Sequence, residues 1–288
     1  MATTARDIAF TRCEARRGVA WLTQAYAMFA QHRLAWVGLL LAYYAVLLLV
    51  DVLPLIGVFL APMVKPVLSV GFLAAAWTQE RGGRPALRML LRGFGANLTA
   101  LLPLGIVFVL GISLALGATA LIDGGQLLDM LYGAAPAADA DPTAAARHVR
   151  ETLISPRVQL GMLFGGLCAL PTILALWWAP ALVVFQDASL GTALGASLRA
   201  ALANWRAALR YAIAIFVMGA IVPSLVAMAL GLLVPPPLNA TLAALLVLPY
   251  LAFFVATLHI ADYVSYRDVF HAGEKLAPIG AERQDLPK

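Results

Sequence analysis

In the stretch LAPMVKPVLSVGF, Leu60 to Phe72, a single lysine stands between two prolines inside an otherwise apolar run. Pro62 and Pro66 lack the N–H that a helix uses for its i→i−4 bonds, so each frees an upstream carbonyl. The Lys65 ammonium carries three donors and no acceptor, and it could take such carbonyls or a carboxylate. Asp51 is the acid of the same hairpin. Lys65 lies about ten residues into an apolar window, hence about 15 Å deep at helical rise. A charge at that depth costs about 2.5 to 3.5 kcal/mol and usually faces a bundle interior or a watery cavity. Three readings follow: a central polar site on a broken helix, as transporters use for ions and charged substrates; a lysine reaching the far interface on its long stem; or a structural lysine satisfied by backbone carbonyls.

His259 and Asp262 stand three apart near the end of another apolar run, with Tyr263, Tyr266, Arg267 and Asp268 just after. Helical spacing puts His259 and Asp262 on one face. An intramembrane histidine beside a carboxylate could shuttle protons. The same cluster also fits a helix leaving the membrane, with tyrosines at the interface, Arg267 near the phosphates and Asp268 pairing locally. His148 has no second ligand at helical spacing, and Cys13 and Cys168 lie in segments of different depth, so no metal site or disulfide framework is expected. HExxH, GxSxG and a phosphate-cradling glycine loop are absent. The sequence therefore predicts no catalytic residues, no cofactor and no enzyme.

The elements that must position these residues are set by composition. Of 288 residues, 62% are hydrophobic and 12% charged, and the mean hydropathy is +0.87. Soluble domains carry about half apolar and a quarter charged residues, so the expectation is a polytopic, all-α membrane protein. Apolar windows of about 20 residues, each enough to cross the hydrocarbon, are expected at 34–52, 54–78, 98–122, 158–184, 207–233 and 238–264. Residues 1–33 then form a basic tail and interfacial helix, 34–264 the six-span domain, and 265–288 a second tail. The insert 123–157 should hold a short helix with Asp141 as N-cap and Pro142 in its first turn. Gly161 and Gly165 permit close helix approach on the fourth span, expected within one chain. The first residues show no apolar core before a cleavage site, so no signal peptide is expected.

Orientation follows from lysine and arginine placement. Arg6, Arg12, Arg16, Arg17 and Arg33 precede span one; Arg81, Arg84, Arg88 and Arg92 follow span two; Arg199, Arg206 and Arg210 flank the start of span five; Arg267, Lys275, Arg283 and Lys288 follow span six. The opposite side has Arg147, Arg150 and Arg157 against Asp123, Asp129, Asp139, Asp141 and Glu151. Both termini are thus expected in the cytoplasm, at an inner (plasma) membrane. The net charge of +5 then concentrates on one surface, which would attract anionic headgroups, with Arg16, Arg17, Arg88, Arg92, Arg199 and Arg206 as contacts. Without a soluble basic domain, nucleic acid is not an expected partner.

Three segments align without gaps: WLTQAYAMFAQHRLAWV from Trp21, ALRMLLRGFGANLTALL from Ala86, and ALGASLRAALANWRAAL from Ala193. Each is an amphipathic stretch, a polar corner (His32, Asn97, Asn204) and the start of a long apolar span, which suggests a loose threefold array. On an α-helix Arg88 and Arg92 share a face opposite Leu87, Leu90, Leu91 and Phe94, which suits a helix in the headgroup plane. At the corners Asn97 and Asn204 would tolerate left-handed geometry and cap the next helix.

The segments ARRGVAWL, MFAQHRLAW, VLPLIG, PVLSVGF and YVSYRDVF together resemble a family of proteobacterial six-span inner-membrane proteins. That family is in turn similar to the YciC-type proteins and to the membrane domain beside some glycerophosphodiester phosphodiesterases. The resemblance implies an all-helical integral domain and carries over no catalytic residues. Two functions of different class are expected: a non-enzymatic envelope protein that binds lipid headgroups or organises partners, or a small transporter or channel with Lys65, Asp51, His259 and Asp262 as its intramembrane polar residues.

Overall fold

Gly18, Trp21, Leu22, Ala25 and Phe29 recur at helical spacing and form the buried face of the first helix, α1 (Arg17–Gln31). The structure, a computed structural model, describes residues 8–54, 57–133 and 142–272. In chain order come α2 (Arg33–Asp51), α3 (Gly57–Glu80), a 3-10 helix (Leu87–Gly95), α4 (Leu98–Asp123), α5 (Gln126–Tyr132), α6 (Pro142–Ile154), α7 (Pro156–Trp177), α8 (Ala179–Gln186), α9 (Leu190–Ala203), α10 (Trp205–Phe216), a π turn (Val217–Ile221), α11 (Val222–Leu233) and α12 (Leu238–His271). No strand occurs among the described residues. Six helical segments are long and apolar enough to cross a membrane: Arg33–Asp51, Phe59–Glu80, Leu98–Asp123, Pro156–Gln186, Trp205–Leu233 and Leu238–His271. These match the six expected windows.

Two compact units divide the chain: Met1–Gly105 with Ala175–Lys288, and Ile106–Leu174. In the first, the C-terminal half of α12 is buried on all sides, from Phe254 through Val269, whereas its first half has no buried residue. The helix has 34 residues, about 51 Å at 1.5 Å each, and so exceeds the hydrocarbon thickness by about 20 Å. It continues seven residues past the expected end of span six, into what the sequence reading assigned to the tail. Beside it the α1 backbone packs so closely on α10 that a Cβ at Gly18 would lie 2.9 Å from the Tyr211 nitrogen. The fourth span breaks at the buried Trp178, whose N–H donates to Ser197 Oγ (3.1 Å) and whose indole donates to Ser265 Oγ (2.9 Å).

In the second unit, α7 lies on α4 through the expected small face. A Cβ at Gly161 would stand 3.2 Å from the Thr119 carbonyl, and one at Gly165 2.9 Å from that of Ala115. Asp123, 2% exposed, turns the chain into α5 by accepting from the N–H groups of Gly125 (2.7 Å) and Leu127 (3.3 Å). Helix α6 begins at Pro142 as expected, while Asp141 lies outside the described residues, as do Arg6, Leu55, Lys275, Arg283 and Lys288.

Prolines decide where backbone polar groups need outside help. Helix α3 runs unbroken through Pro62 and Pro66, so the half-helix expectation is corrected. The carbonyl of Pro62, left without its helical donor by Pro66, is covered by Gly105 at the start of α4, where any Cβ would collide with it. In the π turn the Val222 N–H donates to the Val217 carbonyl, one residue beyond α spacing. Continuing that pattern would require an N–H from Pro223, which has none. The hydroxyl of Tyr250 on α12 supplies the missing donor to the Met218 carbonyl at 2.7 Å.

Tyr250→Phe should therefore lower the stability of the purified protein by about 1 to 3 kcal/mol, the cost of leaving an apolar-sited carbonyl unmatched. Thermal unfolding in detergent measures this, and an unchanged midpoint would refute the assignment.

Candidate functional site

The polar side chains of the first unit converge where α1, the end of α3 and the end of α12 meet. Arg17 of α1 donates from Nε to Asp268 Oδ2 at 2.8 Å and forms an ion pair with it through Nη2. The Trp21 indole N–H reaches the same oxygen at 3.0 Å. Trp21 is fully buried and its ring edges meet Trp177, Trp178 and Tyr211 at 6.0, 6.5 and 5.8 Å between centroids. One turn along α12, Tyr263 donates to Glu80 Oε2 (2.6 Å), and Arg267 pairs with Glu80 Oε1. Arg267 also approaches Asp268 Oδ1 at 3.7 Å and donates to Gln24 Oε1 at 3.3 Å.

Gln79 joins this cluster to the first corner. Its amide nitrogen donates to the Met28 carbonyl (2.7 Å) and to Gln31 Oε1 (3.1 Å), and its oxygen accepts from the Trp36 indole (2.8 Å). The segment before α1 is held by Thr11 N–H to the Val269 carbonyl (2.7 Å). Asn204, at the α9–α10 corner, accepts from the Cys13 N–H (2.6 Å) and donates to the Thr11 carbonyl (3.0 Å). The start and end of the described chain thus lie side by side. Burial pushes the Cys13 thiol above its ordinary value; Asp268 adds to this and Arg17 opposes it.

A cleft of about 390 Å³ opens among these groups, lined by Gln24, Met28, Gln31, Gln79, Glu80 and Arg267. Arg267 and Glu80 are each 16% exposed. Both Glu80 oxygens are engaged, and Asp268 Oδ2 accepts from two side chains, so neither carboxylate is placed as a free base. Among the described residues, Arg267 Nε and Arg199 Nη2 are buried without a hydrogen bond. The arrangement fastens helices and offers amide and guanidinium groups to a polar guest.

The intramembrane candidates lie outside this cluster, and only His259 and Asp262 come together. His259 stacks on Phe72 at 4.0 Å and meets Tyr43 edge-on at 5.6 Å. With Asp262, Ser69 and Trp177 it lines a cavity of only about 40 Å³, where Asp262 accepts from Trp177. Lys65 is exposed and lines neither cavity, and Asp51 is exposed at the end of α2. Among the described residues no ion pair joins them.

The arginines expected at headgroups divide into two sets. Arg17 is bound to Asp268, and Arg199, half-buried, donates from Nε to the Gly195 carbonyl at 3.3 Å. Arg88, Arg92 and Arg206 are exposed, the last over the Trp205 ring at 5.4 Å. Arg16 pairs with Glu14 at 2.5 Å, both largely in solvent. Arg88 and Arg92 sit on a 3-10 helix, where i and i+3 eclipse; Met89, Leu90 and Gly93 are buried while Leu87, Leu91 and Phe94 stay exposed. The expected opposition of Arg88 and Arg92 to four apolar residues is corrected accordingly, since Leu90 alone of the four turns inward.

One of the two asparagine corners caps as expected. Asn97 Oδ1 accepts from Thr99 Oγ1 (2.6 Å) and the Ala100 N–H (3.3 Å) at the start of α4. Asn204, with φ −104° and ψ 21°, makes no side-chain cap, and neither it nor Asn97 is left-handed. The expectation for Asn204 fails because the N-terminal segment competes for its side chain. Asp268, expected to pair locally, does approach Arg267 at 3.7 Å, but its close partner is the distant Arg17. Glu80, Gln79 and Trp21 were missed; their signal was a carboxylate and an amide closing span two opposite Arg267 closing span six.

Asp268→Asn should cost about 2 to 4 kcal/mol in detergent unfolding, toward the low side of a broken buried pair because Arg17 is 35% exposed. Arg16→Gln, at an exposed pair, should cost under about 1 kcal/mol. In a Cys168→Ser background, maleimide labelling of Cys13 at pH 8 should be slower than after unfolding. The raised thiol value stabilises the fold fully below the ordinary thiol range, and this contribution fades as pH rises through it.

The chain is similar to a probable inner membrane protein of Burkholderia thailandensis, 29% identical over 276 residues that cover 92% of this chain and 94% of that protein. No family model and no solved structure matches. Six apolar helices and a relative of inner-membrane type together support a multi-pass integral membrane protein of the inner membrane.

Proposed function

We propose that this protein is a non-enzymatic component of the bacterial envelope whose basic, cytoplasmic face holds anionic lipid headgroups and organises partners there. The observation that carries the reading is the 3-10 helix. It is fixed to α3 through Met89, Leu90 and Gly93, and leaves Arg88 and Arg92 beside the exposed Leu87, Leu91 and Phe94. Guanidinium groups next to exposed apolar side chains suit the boundary between phosphates and acyl chains. Trp205 and Arg206, both exposed at the start of the fifth span, repeat that pairing. The three blocks of short helix, polar corner and long span are in this reading a degenerate repeat presenting one leaflet with similar surfaces. Kinship with the YciC-type proteins and with the phosphodiesterase-associated membrane domain belongs to the same proposal.

The transport alternative draws less support. It requires a broken helix and an enclosed site around Lys65, whereas α3 is continuous and Lys65 is exposed.

Extraction of the full chain with its surrounding lipid in polymer discs tests the proposal. Phosphatidylglycerol and cardiolipin should be enriched over bulk membrane, the enrichment should fall by about half or more in R88Q/R92Q, each surface arginine contributing up to about 1 kcal/mol, and Lys65→Met should leave it unchanged. Reporter fusions should place both chain ends in the cytoplasm. Equal lipid composition inside and outside the discs, or periplasmic termini, would refute it.

A further inference from the structure

A second opening of the first unit, about 450 Å³ in volume, runs between α1, α10 with its π turn, and α12. Its lining is almost wholly apolar. Val19 and Tyr26 form one wall, Ala214 and Met218 the other, with Phe254 at the floor and Phe253 toward the rim. Phe254 is 7% exposed, whereas Phe253 and Tyr26 are 45% and 55% exposed, so the groove is deep at Phe254 and open along its rim. The walls do not depend on a guest. Gly18 abuts Ala207 and Tyr211, Gly219 abuts the Phe254 ring, and Tyr250 ties the π turn to α12.

The helices that form the two walls carry arginine just before their lining residues. The contacts of Gly18 with Ala207 and Tyr211, followed by Val19 and Tyr26 facing Ala214 and Met218, show α1 and α10 running the same way along it. One turn before Val19 on α1 is Arg16, whose backbone is already helical (φ −64°, ψ −22°). One turn before Ala214 on α10 is Arg210, and one turn before that Arg206, both exposed. Each wall helix therefore carries an arginine one turn before its lining residues, Arg16 before Val19 and Arg210 before Ala214, outside the apolar lining itself. Glu14 already pairs with Arg16, but both side chains are largely solvated, so exchanging that partner for another anion costs little.

We propose that this groove binds a single phospholipid with an anionic headgroup, one acyl chain lying between α1 and α10 and the phosphate held by Arg16 and Arg210. The inference rests on the lipid-holding role proposed above and assigns it a site distinct from the 3-10 helix. Arginine suits the role because its planar fork meets a phosphate with two parallel hydrogen bonds. A chain-shaped, aromatic-floored groove suits an acyl tail and offers a free phosphate nothing beyond the two arginines.

Native mass spectrometry of the full chain in detergent tests this with three probes: phosphatidylglycerol, phosphatidylcholine of the same acyl chains, and glycerol phosphate without chains. Phosphatidylglycerol should bind one per chain in preference to the other two. R16Q/R210Q should weaken it by about tenfold or more, the loss expected for charge-assisted hydrogen bonds. Ala214→Trp should obstruct the groove and weaken phosphatidylglycerol while an unchanged melting midpoint reports an intact fold. R88Q/R92Q should leave this tightest lipid in place. Phosphatidylglycerol affinity within about twofold of wild type in R16Q/R210Q, equal retention of phosphatidylcholine, or equal binding of glycerol phosphate would each overturn the site. If wild type prefers phosphatidylglycerol and only R88Q/R92Q abolishes that preference, the groove falls and the wider role stands. If wild type shows no preference for anionic lipid, both fall.

Discussion

Two carboxylates withdrawn from water at the ends of α3 and α12 govern the arrangement of the first unit. Glu80 and Asp268 need donors there, because a buried carboxylate loses its hydration and must recover those hydrogen bonds from the protein. The donors come from distant parts of the chain. Arg17 and Trp21 are on α1, while Tyr263 and Arg267 are on α12 itself. Satisfying Asp268 thus brings α1 to the end of α12, and satisfying Glu80 brings the end of α3 to the same place. Ion pairs of this kind contribute little net stability compared with apolar packing. What they supply is register: only one alignment of α1 on α12 puts both Arg17 and Trp21 on one oxygen.

The same accounting applies to the backbone. A helix in an apolar setting must close its own hydrogen bonds, and each proline opens a gap. Pro66 exposes the Pro62 carbonyl, and the chain answers with close approach by Gly105. At Pro223 the answer is a longer-period turn with a tyrosine hydroxyl brought from α12. Neither gap draws on Lys65. The lysine that looked like a donor for freed carbonyls is exposed on a helix that meets its needs in other ways.

These two constraints explain what the sequence made legible. Long apolar runs with basic flanks mark helices by composition alone, so the six spans agree with the windows to within a few residues, apart from the extended end of α12. The small face of α7 and the cap by Asn97 depend on neighbours at short range and were also readable. The tertiary cluster was not, because Asp268 reaches a partner 251 positions away and nothing local in YVSYRDVF distinguishes that bond from pairing with Arg267. Asn204 was misread for the same reason: its cap was predicted from the residues after it, whereas its side chain is taken by Thr11 and Cys13. The nature of the second block was missed because RMLLRGFG has the composition of an amphipathic α-helix, yet two glycines and tight packing on α3 draw it into a 3-10 coil.

Sorting the arginines by burial rather than by position changes what the positive charge means. A count of basic residues treats Arg17, Arg199 and Arg267 as surface, but these are fastened to carboxylates or carbonyls within the unit and contribute little field to a membrane. The exposed set is smaller and ordered: Arg88 and Arg92 with exposed leucines, Arg206 with Trp205, and Arg16 and Arg210 one helical turn before residues that line an apolar groove. In each case a guanidinium adjoins exposed apolar surface. That combination would be a liability in water, where exposed apolar patches associate. At a bilayer boundary it matches a molecule that is itself charged at one end and apolar along its length. The protein's exposed positive charge thus fits the amphipathic form of a bilayer boundary, and its buried charge is arranged by the need to join α1 to α12.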